Sequence, residues 1–207
     1  MIEVMTVKPR QRKTDKVLLL AHGAGAPMDS YFMARIAQDV AAGGIVVSRF
    51  NFPYMQEQVR TGKKRSPDGP KKLLAAFQAA LDKIGSVENT VIGGKSLGGR
   101  MASLLATETT VSGLVCLGYP FHPPGKPDVL RTAHLKDINV PTLIVHGTRD
   151  PFGRREEVSG YDLPRDTRIC WMEDGNHDFK PRKASGLSHE DHLQAAAAAT
   201  AEFVLGL

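Results

Sequence analysis

Short β-branched and aliphatic runs alternate along this chain with stretches of helical period, and no other feature limits the fold so strongly. The expected strands are Val17–Ala21, Ile45–Arg49, Thr90–Ile92, Gly113–Leu117, Thr142–Val145 and Arg168–Trp171, with Ile2–Val7 as an antiparallel starter. Strands separated by helices pair in parallel, so the expectation is a three-layer α/β/α fold: a mostly parallel twisted sheet with helices on both faces. The runs are almost continuously apolar, as burial of both faces of a sheet demands.

The intervening segments carry their own start and stop signals. Asp29 can cap a helix whose Met33, Ile36, Ala37 and Val40 follow the i, i+3, i+4, i+7 spacing, and Gly43-Gly44 ends it. Pro70 suits a first helical turn, where its missing N–H would have no partner anyway. Leu73, Leu74, Phe77, Leu81 and Ile84 then form one stripe, closed by Gly85. A further helix is expected over Met101–Thr107. The last opens at Ser188-His189-Glu190-Asp191 and turns Leu193, Ala197, Val204 and Leu207 inward, its alanine run packing closely on the sheet. The connection from Tyr119 to Val140 is short and proline-rich, so no cap domain is inserted, and residues 1–207 form a single domain.

Composition narrows the class of protein. Hydrophobic residues at 42% and charged residues at 24% of 207 are ordinary globular values, which excludes a disordered or fibrous chain. The longest apolar runs, Val17–Ala21 and Ala195–Ala199, fall far short of the roughly 20 residues that cross a bilayer. Met1-Ile2-Glu3-Val4 has no basic region followed by an apolar one, so no secretory signal or membrane span is expected, and a cytoplasmic address is. Cys116 and Cys170 lie in strand-like runs and are expected as small buried hydrophobes rather than a disulfide framework or a nucleophile. Of the net charge of +5, residues 60–72 hold the whole excess: Arg60, Lys63, Lys64, Arg65, Lys71 and Lys72 against Asp68. A solvated loop is expected there, with contact to an acidic ligand as the alternative and no nucleic-acid partner.

The chemistry-bearing segment is Gly93-Gly94-Lys95-Ser96-Leu97-Gly98-Gly99-Arg100, which contains G-x-S-x-G between a strand and a helix. That setting defines a nucleophile elbow, whose turn is so tight that the residues two before and two after the serine must lack side chains. Gly94 and Gly98 meet the demand. The helix N-terminus beyond the serine places the Leu97 N–H where an oxyanion would develop. A serine hydroxyl needs a base, and the base a carboxylate to orient it. Asp150 follows the strand Thr142–Val145 in His146-Gly147-Thr148-Arg149-Asp150, and His177 follows Arg168–Trp171 in Gly175-Asn176-His177. All three are expected at the carboxyl edge of the sheet, where open α/β folds keep their sites. The small residues of His22-Gly23-Ala24-Gly25-Ala26 leave backbone N–H groups uncovered; Ala24 is the expected second oxyanion donor, with Gly25 as its alternative.

Taken together, His-Gly-Ala-Gly, Gly-Lys-Ser-Leu-Gly-Gly, His-Gly-Thr-Arg-Asp and Gly-Asn-His resemble the α/β-hydrolase superfamily from about residue 16 onward. Asn51-Phe52-Pro53-Tyr54, the Gly-Lys-Ser-Leu-Gly-Gly-Arg elbow and Gly118-Tyr119-Pro120-Phe121-His122-Pro123 are similar to a capless group within it. That group is labelled dienelactone-hydrolase-like and is related to a hydrolase-like domain in an NSL histone-acetyltransferase complex subunit. True dienelactone hydrolases use a cysteine nucleophile where this chain has Ser96, so their substrate is not implied. The resemblance implies a serine hydrolase of small-molecule esters, or of thioesters or amides, with an acyl-enzyme intermediate.

Other roles compete for several of these residues. Asp150 precedes a proline and would also suit a plain turn. His22 and His146 are expected as structural histidines. Tyr119 and His122, just past a strand end, are candidate pocket residues together with Gly25. Lys95, beside the serine, would either pair with an acidic neighbour or favour an anionic substrate. A phosphate-binding loop ending at Lys95-Ser96 needs a glycine where Asn89 stands, and a dinucleotide fingerprint from Gly23 needs one where Met28 stands. Neither a cofactor nor a metal is implied. The rival functional class is a non-catalytic interaction module on the same fold, using the basic segment as its contact surface.

Overall fold

In a computed structural model, which describes residues 2–163 and 166–207, the apolar runs form one seven-stranded sheet. The strands are β1 (Val4–Val7), β2 (Val17–Ala21), β3 (Val46–Phe50), β4 (Thr90–Lys95), β5 (Gly113–Leu117), β6 (Thr142–Gly147) and β7 (Thr167–Met172). Their spatial order is β1-β3-β2-β4-β5-β6-β7, with β1 antiparallel to β3 and every other pairing parallel. The chain leaves β2 on one side to form β3 and returns on the other side as β4. That reversal opens a crevice at the carboxyl ends of β2 and β4, the place where open α/β sheets bind ligands.

Among the described residues six α-helices flank the sheet: α1 (Tyr31–Ala42), α2 (Pro53–Thr61), α3 (Pro70–Ile84), α4 (Leu97–Leu105), α5 (Arg155–Val158) and α6 (His189–Leu205). Because neighbouring strand residues point to opposite faces, the core divides in two. One cluster packs Leu19, Ala21, Phe50, Ile92, Cys116 and Ile144 against α2, α3 and α4; the other packs Leu18, Leu20, Val47, Val91, Val115 and Val145 against α1 and α6. Residues 118–141 add only a short 3-10 turn, Leu135–Asp137, so no cap sits over the carboxyl edge.

Several boundaries differ from the sequence expectations. Helix α1 starts after Ser30, not Asp29, because a turn closed by the Ser30 N–H on the Pro27 carbonyl delays it by one residue. Strand β4 runs on through Gly93-Gly94 to Lys95, and α4 begins at Leu97 rather than Met101. Leu207 lies beyond the end of α6 and is 36% exposed, yet its Cδ1 lies against Gly113 at the start of β5 and so faces the body as expected. Helix α2 was not expected at all. It opens on Pro53 and closes on Gly62 at φ 68°, burying Tyr54 and Met55, and so converts the start of the basic segment into helix. Its Glu57 accepts from Arg60 and Arg65, and Asp68 pairs with Lys72, while residues 57–72 keep a net charge of +4 (six basic against two acidic residues).

Among the described residues no helix is long and apolar enough to cross a membrane, and no group of three or more His, Cys, Asp or Glu is placed to hold a metal ion. A fully buried aromatic trio, Phe50, Phe52 and Phe77, packs in the core with ring centroids 5.0 Å apart for Phe50–Phe77 and 5.2 Å for Phe50–Phe52. Removing one ring leaves a cavity that this rigid neighbourhood cannot collapse. Phe77→Ala is expected to lower unfolding free energy by about 3–5 kcal/mol, whereas Val59→Ala, at a residue 57% exposed, should stay within about 0.5 kcal/mol. Urea titrations of both variants check this, and equal losses would contradict the packing argument.

Candidate active site

The β4–α4 joint holds Ser96 at φ 51°, ψ −110°, a left-handed conformation that costs a non-glycine residue on the order of 1–3 kcal/mol. Neighbouring structure enforces it. The Ser96 N–H donates to the Leu117 carbonyl (3.0 Å), and the Ser96 carbonyl accepts from the Arg100 N–H (3.0 Å). A Cβ on Gly94 would lie 2.3 Å from the Ala21 carbonyl oxygen and 2.7 Å from the Gly98 carbonyl carbon, and one on Gly98 would again meet Ala21 O at 2.3 Å. Both positions therefore need glycine for the turn to nest against β2.

Asp150 and His177 come from the loops after β6 and β7. The His177 Nδ1–H donates to Asp150 Oδ2 at 2.7 Å, which leaves Nε2 as the free ring nitrogen. Asp150 is fully buried, and its Oδ1 accepts from the Phe152 N–H at 2.9 Å. Burial pushes the Asp150 pKa up, but the His177 hydrogen bond, the His146 and His177 charges and the Phe152 N–H outweigh it and hold the carboxyl below its ordinary value. The Phe152 ring lies on His177 with centroids 4.3 Å apart. His146 is structural: its Nε2–H donates to Gly153 O (2.8 Å) and its ring is packed edge-on by Phe121 and Trp171. No hydrogen bond joins Ser96 to His177 among the described residues, although both face one cleft.

Four further residues, Thr148, Arg149, Asp174 and Arg182, clamp the acid loop to the histidine loop. The Asp174 N–H donates to Thr148 Oγ1 (2.8 Å), and the Arg149 N–H to Gly175 O (2.9 Å). The Asp174 carboxylate takes the Arg182 Nε (2.8 Å) and N–H (2.7 Å) and pairs with Arg149. These Arg182 bonds hold its pKa down to about 2, so it stays ionised across ordinary pH. Sequence reasoning missed this clamp, because Thr148, Arg149, Asp174 and Arg182 form no contiguous pattern.

The third loop, after β2, is fixed by His22. Its Nε2 accepts the Phe52 N–H (3.0 Å), so the proton sits on Nδ1, which donates to Gly23 O (2.6 Å). Tyr54 Oη donates to Ala24 O (3.1 Å). With those carbonyls held on the protein side, the Ala24 N–H and the Leu97 N–H make no hydrogen bond among the described residues. A Cβ on Gly23 would stand 3.8 Å from Ser96 Cβ, so this loop lies against the serine.

The resulting cleft, about 370 Å³, is lined by Gly23, Ala24, Gly25, Ser30, Phe32, Met33, Lys95, Ser96, Phe152, His177 and Asp178 among others. Lys95 Nζ pairs with Asp178 Oδ1 at 3.2 Å and sits 5.5 Å from the Phe32 ring centre. Burial pulls its pKa down, with Asp178 and Asp150 opposing. Two expected pocket residues are elsewhere. Gly118, at φ 67°, turns the chain off the sheet edge, so Tyr119 is fully buried with its hydroxyl on Arg131 O (2.8 Å). His122 is 3% exposed, with Nδ1 on Pro123 O (2.8 Å). Phe32, Phe152 and Asp178 take the place assigned to them. Only Phe152 and Asp178 had a signal in sequence, each lying within two residues of a candidate catalytic group.

A family model described as alpha/beta hydrolase domain matches residues 14–205. Among solved structures, Est1E from Butyrivibrio proteoclasticus is similar with a TM-score of 0.73 at 15% identity, over 99% of this chain and 93% of that one. A dienelactone hydrolase from Anabaena variabilis gives 0.72 at 21% identity, over 98% and 90%. An alpha-beta serine hydrolase homologue from Coxiella burnetii gives 0.70 at 17%, over 99% and 90%. At these identities the likeness is one of fold.

His22 also makes a pH-dependent contribution. Burial lowers its pKa from 6.5 to about 4, so as pH falls below 6.5 the unfolded chain takes up a proton that the folded chain refuses. Stability is then lost between about pH 6.5 and 4, this residue contributing roughly 2 kcal/mol between about pH 7 and pH 4.5. Urea unfolding at the two pH values should show a shallower loss for His22→Gln than for the native chain; identical losses would remove His22 from the account.

Proposed function

The chain belongs to the alpha/beta hydrolase domain family, and on that premise we propose that it is a serine hydrolase cleaving esters of small acyl groups, with thioesters and amides as secondary substrates. The observation that carries this reading is that Ser96, on its positive-φ strand-to-helix turn, faces the same cleft as a histidine already hydrogen-bonded to a buried carboxylate.

In the proposed reaction Ser96 Oγ attacks the substrate carbonyl while His177 Nε2 takes its proton. Asp150 keeps the other ring proton on Nδ1 and stabilises the imidazolium that forms. The negative oxygen of the tetrahedral intermediate is received by the Ala24 and Leu97 N–H groups, with the α4 N-terminus adding its positive dipole end. His177 then protonates the leaving alcohol, and a water activated by the same Nε2 releases the acid and regenerates Ser96. The Ser96–His177 hydrogen bond forms as substrate binds, since catalytic contacts in unliganded enzymes are commonly long.

Cleft dimensions support a small acyl group. Its volume lies at the low end of ligand pockets, its apolar wall comes from Phe32, Met33 and Phe152, and none of residues 118–141 contributes to it. A long lipid chain would find no cover there.

Intact-mass analysis after incubation with a fluorophosphonate probe tests the reading without a known substrate. One adduct on the native chain and none on Ser96→Ala is expected, and kcat on short acyl esters should fall by about 10⁴ or more in Ser96→Ala and in His177→Ala. Absence of an adduct on folded protein would overturn the proposal in favour of a non-catalytic interaction module.

A further inference from the structure

Asn51-Phe52-Pro53-Tyr54, which joins β3 to the first turn of α2, takes no part in the proposed chemistry, yet it holds the loop after β2 at three points. Asn51 Oδ1 accepts the Met28 N–H (2.8 Å) at the far end of that loop, and the Phe52 N–H donates to His22 Nε2 (3.0 Å) at its start. Between them the Tyr54 hydroxyl donates to the Ala24 carbonyl (3.1 Å), with the Gly23 carbonyl as a more distant second acceptor (3.4 Å). Asn51, Phe52 and Tyr54 are buried, whereas residues 23–26 line the Ser96 cleft. The loop is therefore gripped from behind and open in front.

Holding a carbonyl decides where the next N–H points, because in a planar trans peptide the two are directed oppositely. Among the described residues no peptide bond is cis. The Gly23 carbonyl, taken by the His22 Nδ1–H (2.6 Å), turns the Ala24 N–H away from the buried side. The Ala24 carbonyl, taken by Tyr54, does the same for the Gly25 N–H. Neither N–H makes a hydrogen bond among the described residues, and a Cβ on Gly25 would meet nothing within 4 Å. Tyr54 is itself anchored. Phe52 gives α2 no side-chain cap, and Asp68 Oδ2 instead accepts the Tyr54 N–H (2.9 Å) while Oδ1 pairs with Lys72 (2.8 Å). Burial also raises the Tyr54 pKa, so the hydroxyl keeps the proton it donates.

We propose that Tyr54 is a positioning residue for the oxyanion donors: its hydroxyl fixes the peptide planes that aim the Ala24 and Gly25 N–H groups into the cleft beside Ser96. The assignment rests on the serine-hydrolase reading and adds the Gly25 N–H to the donors. Phenylalanine at this position keeps the ring and its packing on His22, centroids 5.8 Å apart, but releases the Ala24 carbonyl. The loop then carries its N–H groups through a range of directions, and a donor stabilises an oxyanion best when it is fixed beforehand. Ground-state contacts with the apolar wall of Phe32, Met33 and Phe152 are untouched, so the loss falls on kcat rather than KM. Asp68 acts one step further back, so the basic segment carries the carboxylate that seats Tyr54.

The test compares Tyr54→Phe with Tyr119→Phe, which removes an equivalent buried hydroxyl-to-carbonyl bond (Tyr119 Oη to Arg131 O, 2.8 Å) outside the cleft. Turnover of p-nitrophenyl acetate and the rate of fluorophosphonate labelling are read beside the unfolding midpoint. In Tyr54→Phe both kcat and the labelling rate are expected to fall about tenfold or more with KM within about twofold. An oxyanion forms in acylation and in deacylation, so kcat falls whichever step limits. Tyr119→Phe is expected to lose as much of the unfolding midpoint and to keep native kinetics. Two results overturn the proposal: native kcat and labelling in Tyr54→Phe, or an equal loss in Tyr119→Phe, which would make the hydroxyl merely structural. Either leaves the native chain labelled at Ser96 and the hydrolase reading intact. A folded native chain that neither labels nor turns over is the failure of that reading, and this assignment falls with it.

Discussion

The close approach of the β4–α4 turn to the end of β2 sets the geometry of the loops around the serine. Where β4 turns into α4, Gly94 and Gly98 press against the Ala21 carbonyl at the end of β2, with no room for a Cβ on either. That contact fixes the N-terminus of α4 beside the loop after β2, and therefore sets the Leu97 N–H and the Ala24 N–H on one side of Ser96. A looser turn would separate the two loops and relax Ser96 out of its left-handed conformation. The strain in the serine's backbone and the absence of side chains around it are thus one fact seen twice: the turn is tight because the sheet holds both its ends.

Buried polar groups then finish what the glycines begin. Apolar packing positions strands and helices, but it does not aim loops, whose backbone groups need specific partners. His22 joins the loop after β2 to the start of α2 by accepting from Phe52 N–H and donating to Gly23 O. Asp174, with Thr148, Arg149 and Arg182, joins the loops that bear Asp150 and His177. A Cβ on Gly147 would collide with the Gly175 and Asn176 carbonyls at 2.4 Å, so these two loops also lie in direct backbone contact. Each hub sits one layer behind the cleft. Each works only in a single protonation state, which ties the geometry of the site to pH more tightly than its solvent-facing residues alone would.

Features encoded locally were legible in the sequence: the strands of apolar residues, the helices bounded by Pro70 and Gly85 or opened by Ser188, the strand-turn-helix around Ser96, and the positions of Asp150 and His177 after their strands. Features set by long-range contact were not. Gly93-Gly94 disguised the last half of β4, because glycine has low strand propensity and the strand is held there by its neighbours β2 and β5. Helix α2 was hidden because only Tyr54 and Met55 of its residues are buried, too few to show a period. Tyr119 and His122 were misplaced because the direction the chain takes after β5 depends on the one positive-φ residue Gly118. The pairing within the basic segment was hidden for a related reason: a count over residues 60–72 stops three residues short of Glu57, whose carboxylate is shared by Arg60 and Arg65.

The same contrast bears on the two unusual cations near the serine. Lys95 immediately precedes Ser96 and Arg100 follows it by four residues, and the fold sends them to opposite fates. Lys95 ends a strand, reaches into the cleft and meets Asp178, a residue of the histidine loop, so its charge is compensated within the site. Arg100 lies one helical turn beyond the serine, with its carbonyl accepting from Ser103 and its Nε buried without a hydrogen-bond partner, and it has no carboxylate within 4.0 Å among the described residues. A buried ammonium with a partner is a finished structural unit. A partly buried guanidinium without one keeps its desolvation cost, so two cations of the same strand-turn-helix are left in different electrostatic states.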